Sequence, residues 1–224
     1  MSDLIFDEYS LALDNLAVTL ESSYERMKCI SLSCETYDYS KVLVNRLRAF
    51  YCAQDRIKKI LGKHQIQNGA DFFVEVVLFV LKVFIETEKL NIKVASEQKL
   101  QKKRGSIKPD ISIWRNDTLL AIVECKTQLG WMRNHWPIHF REREERLKEI
   151  YPESELFVLV MTSCNWSGFG RQADNPEVNQ KFFCLLKETW PTFIPHEAEL
   201  PAMESPIENL LMQVRRIALR RESA

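Results

Sequence analysis

The chain has 224 residues, of which 46% are hydrophobic, and its 31 basic and 31 acidic residues give a formal net charge of zero. This size predicts one globular domain with at most a small helical extension, and it leaves little room for two full domains. The balanced charge excludes a protein coated in basic residues for non-specific polyanion binding, but it does not exclude a local basic groove.

Helical spacing of apolar residues characterises the first part of the chain. It predicts helices over residues 3–27 and 40–62. In the first of these, Leu11, Leu16 and other apolar residues would share a broad face. A third helix, over residues 69–88, begins after a cap-like Asn68 and is apolar nearly all round, so we expect it to be buried.

The pattern then changes to that of strands. Alternating residues predict a strand over 91–100, and two further strands, over 107–115 and 118–128, form a hairpin. The remaining predicted elements are a charged helix (139–151), a buried strand (155–162), a helix (177–190) and an amphipathic helix (204–223).

This order of elements predicts an α/β or α+β fold, in which helices flank a mixed central sheet. We divide the chain into an N-terminal helical region, residues 1–65, and an α/β core with C-terminal helices, residues 66–224. The amphipathic C-terminal helix carries an apolar stripe that suits either the core or the contact of a homodimer. The stripe consists of Ile207, Leu210, Leu211, Val214 and Ile217.

The register of the hairpin decides which side chains meet, because side chains alternate between the two faces of a strand. A two-residue loop, 116–117, would place Asp110 opposite Val123. An odd-length loop, or a bulge at the start of the first strand, would place Asp110 opposite Glu124 and give the hairpin one consistently apolar face. Lys126 shares a face with Glu124 in either register. We expect the second register.

Two facing carboxylates repel, and their burial is unfavourable unless cations compensate them. Lys126 supplies one positive charge to Asp110 and Glu124, and a divalent cation would supply two more. Hard oxygen ligands suit Mg²⁺, with Mn²⁺ as a substitute. The alternative is a solvated hairpin face with a surface salt bridge. The apolar Leu120 and Ile122, expected on the same face, favour the metal site. On this reasoning, glutamine at position 124 should leave the metal-free stability unchanged or higher.

The residues Pro109-Asp110, a gap of thirteen residues and then Glu124-Cys125-Lys126 resemble the motif of the PD-(D/E)xK nuclease superfamily. The restriction-endonuclease-like fold of that superfamily is shared by restriction enzymes, Holliday junction resolvases and several repair exonucleases. The resemblance covers roughly residues 69–162, including the helix before the motif and the helix and strand after it. It implies a Mg²⁺-dependent nuclease that hydrolyses phosphodiester bonds, most simply an endodeoxyribonuclease of restriction or repair type.

The resemblance also implies a role for each motif residue. Asp110 and Glu124 would ligate the metal, and the backbone carbonyl of Cys125 would add a ligand. Lys126 would orient or help to deprotonate the attacking water and would offset charge in the transition state. Glu75 would be the acidic residue that the superfamily often adds from the preceding helix; alternatively, it reaches solvent or pairs with a lysine of its own helix.

Polar side chains near the motif are candidate contacts for nucleic acid. They are Lys102, Lys103, Arg104, Lys108, Gln128 and Arg171. The first three form a basic turn before the motif strand, although many such turns are only solvated. The arginines of the charged helix, including Arg143, alternate with glutamates, which is typical of a solvated helix face.

The six cysteines form no CxxC pair, and several lie in apolar runs as buried thiols do. We interpret this usage as that of a reducing, cytoplasmic compartment. The most apolar stretch, residues 72–85, is too short and too interrupted by charges to span a bilayer. The resemblance implies DNA as the partner. The competing hypothesis is a catalytically inactive nucleic-acid-binding or scaffold protein with the same fold.

Overall fold

The computed structural model of the chain describes residues 7–29, 37–102, 104–128, 136–163, 176–193 and 199–220. The α-helices in these ranges are α1 (Glu8–Cys29), α2 (Tyr39–Leu61), α3 (Ala70–Thr87), α4 (Trp136–Lys148) and α5 (Pro206–Leu219). The strands are β1 (Lys93–Ser96), β2 (Ile111–Arg115), β3 (Thr118–Lys126), β4 (Glu155–Thr162) and β5 (Phe182–Leu186). Among the helices described, none combines the length and the apolar character needed to cross a bilayer.

The five strands form one sheet in the order β1-β2-β3-β4-β5. The β1–β2 and β2–β3 pairs are antiparallel. The β3–β4 and β4–β5 pairs are parallel. Helices cover the sheet, so the predicted mixed sheet flanked by helices is confirmed at the level of an α+β fold. The strand β3 lies where the sheet changes from antiparallel to parallel pairing.

The two faces of the sheet bury different sets of apolar side chains. One face packs against α3 and α5, and with α1 and α2 these helices bury the larger of two hydrophobic clusters. The other face packs against α4, whose Phe140 and Leu147 are buried there. Residues on β3 alternate between the clusters, with Ala121 and Val123 in the first and Ile122 in the second. This alternation follows from the two-residue period of a strand.

The prediction of a helix over residues 177–190 is wrong, because the chain forms β5 there. All five residues of β5 are buried. Phe183 and Leu185 enter the larger cluster, whereas Phe182 and Cys184 enter the one under α4. A short apolar run covered on both faces has no alternation to mark it as a strand.

The β2–β3 hairpin has the register predicted for the motif but reaches it in another way. Ile111 pairs with Val123 and Ile113 with Ala121, so Asp110, which precedes Ile111, lies opposite Glu124, which follows Val123. The loop nevertheless has only two residues, 116–117, because Arg115 pairs with Thr118. The extra residue is a bulge at Leu120, between the pairs that Ile113 and Trp114 make. The bulge therefore lies near the tip of the hairpin rather than beside Pro109.

Deletion of Leu120 is expected to leave the motif in place. The deletion would convert the bulge into regular pairing while Ile113 still faces Ala121, at a cost of about 1 kcal/mol for one half-buried side chain. Deletion of the buried Ser112 from β2, which has no spare residue, is expected to prevent folding because it moves Asp110 to the other face. Thermal melts and NMR contacts between Ile113 and Ala121 would test both variants. A Leu120 deletion that loses this contact would contradict the assignment.

The helix α1 departs from its predicted face. Leu11 and Leu16 are more than half exposed, whereas Leu20 and Tyr24 pack against the larger cluster and Met27 is buried in it. The second half of α1 therefore packs against the larger cluster, and the first half extends beyond it.

The α5 stripe lies in the interior of this chain, and all five of its apolar residues are buried there. The helix is tied to α2, because the backbone amide of Ser40 donates to Glu208 at 3.0 Å. The stripe is therefore not a free surface on which a second copy could dock. The division of the chain into residues 1–65 and 66–224 stays a prediction. In the structure α2, from the first range, and α5, from the second, share one hydrophobic core.

Candidate active site

The motif residues meet at one end of the sheet. Asp110 directly precedes β2, and Glu124 and Lys126 are at the end of β3. Antiparallel pairing brings the start of one strand beside the end of its neighbour. The backbone amide of Cys125 donates to Oδ2 of Asp110 at 2.7 Å, so the main chain itself fixes this carboxylate.

Lys126 bridges the two carboxylates. Its Nζ lies 3.1 Å from Oδ2 of Asp110 and 3.1 Å from Oε2 of Glu124. Burial disfavours the charged ammonium group, but Glu124 and then Asp110 outweigh this effect, and the pKa of Lys126 is raised. Lys126 is therefore a protonated cation at neutral pH in this arrangement. Glu124 is only 5% exposed, so its charge needs such a partner.

Arg143 provides a second cation, which the sequence did not indicate. It lies on α4, and its Nε donates to Oε1 of Glu124 at 2.9 Å. Its Nη2 donates to the same oxygen. The prediction of a solvated helix face at Arg143 is wrong, because α4 covers the face of the sheet on which Glu124 lies. A carboxylate in a hydrophobic strand requires a cation, but sequence alone does not show which helix supplies it.

The opposite side of the motif borders a cleft of about 370 Å³ between α3 and the sheet. Glu75 is exposed and lines this cleft together with Asp110 and Lys126. Glu75 therefore lies at the same cleft as two of the motif residues, whereas the third, Glu124, contacts Arg143 on the other side. A role for Glu75 in a metal site stays a prediction. The cleft is lined by Ala70, Asp71, Val74, Glu75, Leu78, Ser96, Glu97, Asp110, Cys125, Lys126, Thr127 and Gln128.

The donor groups at the motif suit a hard divalent cation. Asp110 and Glu124 offer carboxylate oxygens on adjacent strands, and Mg²⁺ is commonly held by one or two carboxylates together with several waters. Within the described ranges, no three Cys, His, Asp or Glu side chains are grouped closely enough to hold a metal. A metal here would therefore need water or the Cys125 carbonyl as further ligands. Burial and then Asp110 raise the pKa of the Cys125 thiol, so the protonated sulfur is a poor ligand.

The candidate nucleic-acid contacts are divided between several positions. Lys102 and Arg104 are exposed on a turn that is closed by a backbone bond from Leu100 to Ile107 at 2.9 Å. Lys108 is exposed and pairs with Glu97 at 2.9 Å. Gln128 is exposed and lines the cleft. The other two candidates, Lys103 and Arg171, lie outside the described residues.

Comparison of the chain with protein-family models, with curated proteins and with solved structures finds no match. The resemblance to the PD-(D/E)xK superfamily therefore depends on the motif residues and on the elements that carry them.

Proposed function

We propose that this protein is a Mg²⁺-dependent nuclease that hydrolyses phosphodiester bonds in DNA, as an endonuclease of restriction or repair type with a restriction-endonuclease-like fold. The observation that carries the proposal is the position of Lys126 Nζ, which lies 3.1 Å from an oxygen of Asp110 and 3.1 Å from an oxygen of Glu124. An acidic residue beside β2, an acidic residue on β3 and a lysine two residues later are the three side chains that the resemblance requires.

The surrounding elements support the proposal. A buried helix, α3, precedes the motif and lines the cleft beside it, and α4 and β4 follow the motif. This is the order of elements that the resemblance covers. Glu124 is an acidic side chain buried in a hydrophobic strand, which is unfavourable for stability unless cations compensate it.

The residues of the chain have distinct parts in the proposed reaction. The Cys125 amide holds Asp110 in one orientation. Lys126, whose pKa is raised by Glu124 and Asp110 in the metal-free protein, would stabilise negative charge on the reacting phosphate. A bound divalent cation would lower the pKa of a ligated water and stabilise the developing oxygen charge. Beside a bound dication, Lys126 would also orient the attacking water or help to deprotonate it.

The charge of the cleft makes nucleic-acid binding depend on the cation. Four carboxylates line the cleft, and Lys126 is the single lysine or arginine among its described lining residues. The carboxylates are Asp71, Glu75, Glu97 and Asp110. A phosphate entering this cleft would be repelled in the absence of a cation. We expect DNA to bind more tightly with Mg²⁺ than with EDTA.

The experiment that tests the proposal offers the protein supercoiled plasmid, linear duplex and single-stranded DNA, with Mg²⁺ and with EDTA. Nicked or linearised plasmid formed only with Mg²⁺ would support an endonuclease. The Asp110→Asn variant, which retains an oxygen for the Cys125 amide, should fold and should not cut. Cleavage by this variant at the wild-type rate would place any activity elsewhere and overturn the proposal.

One observation favours a second candidate, an inactive nucleic-acid-binding or scaffold protein. Lys126 and Arg143 balance the charges of Asp110 and Glu124 in the absence of any metal. A protein of this kind would bind DNA equally well in Mg²⁺ and in EDTA and would leave all three substrates intact. The same assay, combined with a filter-binding measurement, therefore separates the two functions.

A further inference from the structure

We propose that Arg143 is an exchangeable counter-ion of the candidate metal centre. It holds Glu124 while no divalent cation is bound, and it turns toward solvent when the cation takes the carboxylate. This inference rests on the proposed nuclease function and assigns a role to a helix that the motif does not include.

Both oxygens of Glu124 are occupied by side-chain cations. Oε1 accepts from Nε of Arg143 at 2.9 Å and from its Nη2. Oε2 accepts from Lys126 at 3.1 Å. A metal ion that binds Glu124 must therefore displace one of the two side chains or share an oxygen with it.

Arg143 is better placed to leave than Lys126. Lys126 also contacts Asp110 and lies two residues from Glu124 on the same strand, so it remains beside the centre in any case. Arg143 reaches in from α4 and contacts Glu124. Its side chain is 34% exposed, against 37% for Lys126, so exposure does not separate the two side chains, but it leaves the guanidinium group free to turn toward solvent.

The charges give the exchange a direction. Asp110, Glu124, Lys126 and Arg143 sum to zero net charge, so each carboxylate is already compensated. A dication bound to the carboxylates would leave the cluster with excess positive charge, and it would repel Arg143. In the metal-free protein Arg143 therefore competes with the cation for Glu124.

The test compares Arg143→Met and Arg143→Lys with the wild type by calorimetric titration with Mg²⁺. Arg143→Met should bind Mg²⁺ more tightly, on the order of tenfold, which corresponds to about 1.4 kcal/mol. Arg143→Lys keeps the charge and should bind Mg²⁺ as the wild type does. Arg141→Met, on an exposed part of the same helix, should match the wild type in each measurement.

A spectroscopic measurement on the wild type tests the exchange directly. The Nε–H signal of Arg143, assigned by its loss in Arg143→Lys, should report the hydrogen bond to Glu124 and should shift when Mg²⁺ saturates the protein. A Mg²⁺ affinity that is unchanged or weaker in Arg143→Met, or an Nε–H signal that Mg²⁺ does not move, would overturn the exchange. If wild type binds Mg²⁺ and cuts DNA, the proposed function survives that result. If no form binds Mg²⁺ or cuts DNA, both proposals fail.

Discussion

Replacement of Glu124 by glutamine is expected to lower Mg²⁺-dependent cleavage by orders of magnitude, because the variant loses one of two carboxylates that would hold the cation. It is also expected to destabilise the metal-free protein by about 1–3 kcal/mol. Lys126 and Arg143 would lose the charge that both of them contact. Repulsion between the two carboxylates alone predicts that the glutamine variant is as stable as the wild type or more stable. The ion pairs reverse the sign of this expected change.

Thermal melts with and without Mg²⁺, together with a cleavage assay, would test Glu124→Gln. The stabilisation that Mg²⁺ gives the wild type should shrink in the variant, because ligand binding stabilises a fold according to its affinity. Glu145→Gln, on an exposed position of α4, is the matched control and should leave melting and cleavage unchanged. A Glu124→Gln protein that cuts DNA as fast as the wild type would exclude this site as the nuclease centre.

Replacement of Lys126 by methionine is expected to abolish cleavage and to make the fold depend on the cation. Without Lys126, Asp110 and Glu124 would face each other with only Arg143 to compensate them, and the metal-free protein should lose about 1–3 kcal/mol of unfolding free energy. Mg²⁺ should restore much of this loss, since it would supply the positive charge that the two carboxylates lack. The increase in Tm on addition of Mg²⁺ should therefore be larger for Lys126→Met than for the wild type.

The control for this variant is Lys59→Met. Lys59 pairs with Asp55 at 2.6 Å on an exposed part of α2, and an exposed pair of this kind contributes less than about 1 kcal/mol. Its melting temperature should barely change and should not respond differently to Mg²⁺. Lys126→Met that melts like Lys59→Met, with and without Mg²⁺, would show that the ammonium group does not hold the two carboxylates together.

The register of the motif could be predicted because the faces of the hairpin have different composition. The observed register pairs Ile111 with Val123 and Ile113 with Ala121, and it leaves the charged Asp110 and Glu124 together on the other face. The register without a bulge would put Glu124 on the face of the two isoleucines. The position of the bulge could not be predicted, because Leu119, Leu120 and Ala121 are all apolar. No polar residue among them marks which one lacks a partner on β2.

Arg143 shows the limit of reading the site from sequence. Its contact with Glu124 joins residues 19 positions apart through the packing of α4 on the sheet. The alternation of arginine and glutamate along α4 is the same for an exposed residue and for one that enters the site. Leu16 of α1 is the opposite case, an apolar residue predicted to be buried that is exposed. Apolar spacing predicts a helix, but it does not show over what length that helix packs against the rest of the protein.

The change of pairing at β3 has a consequence for the kinetics of folding. β2 and β3 are joined by two residues, whereas the chain passes through residues 127–154, including α4, before β4 pairs with β3. Local hairpins close within about 1–10 μs, and crossover pairings form later because a longer loop must close first. The contact of Lys126 with Asp110 is thus expected to arise early, with the hairpin. The contact of Arg143 with Glu124 must wait for the crossover, so the two cations of the site would reach it at different stages of folding.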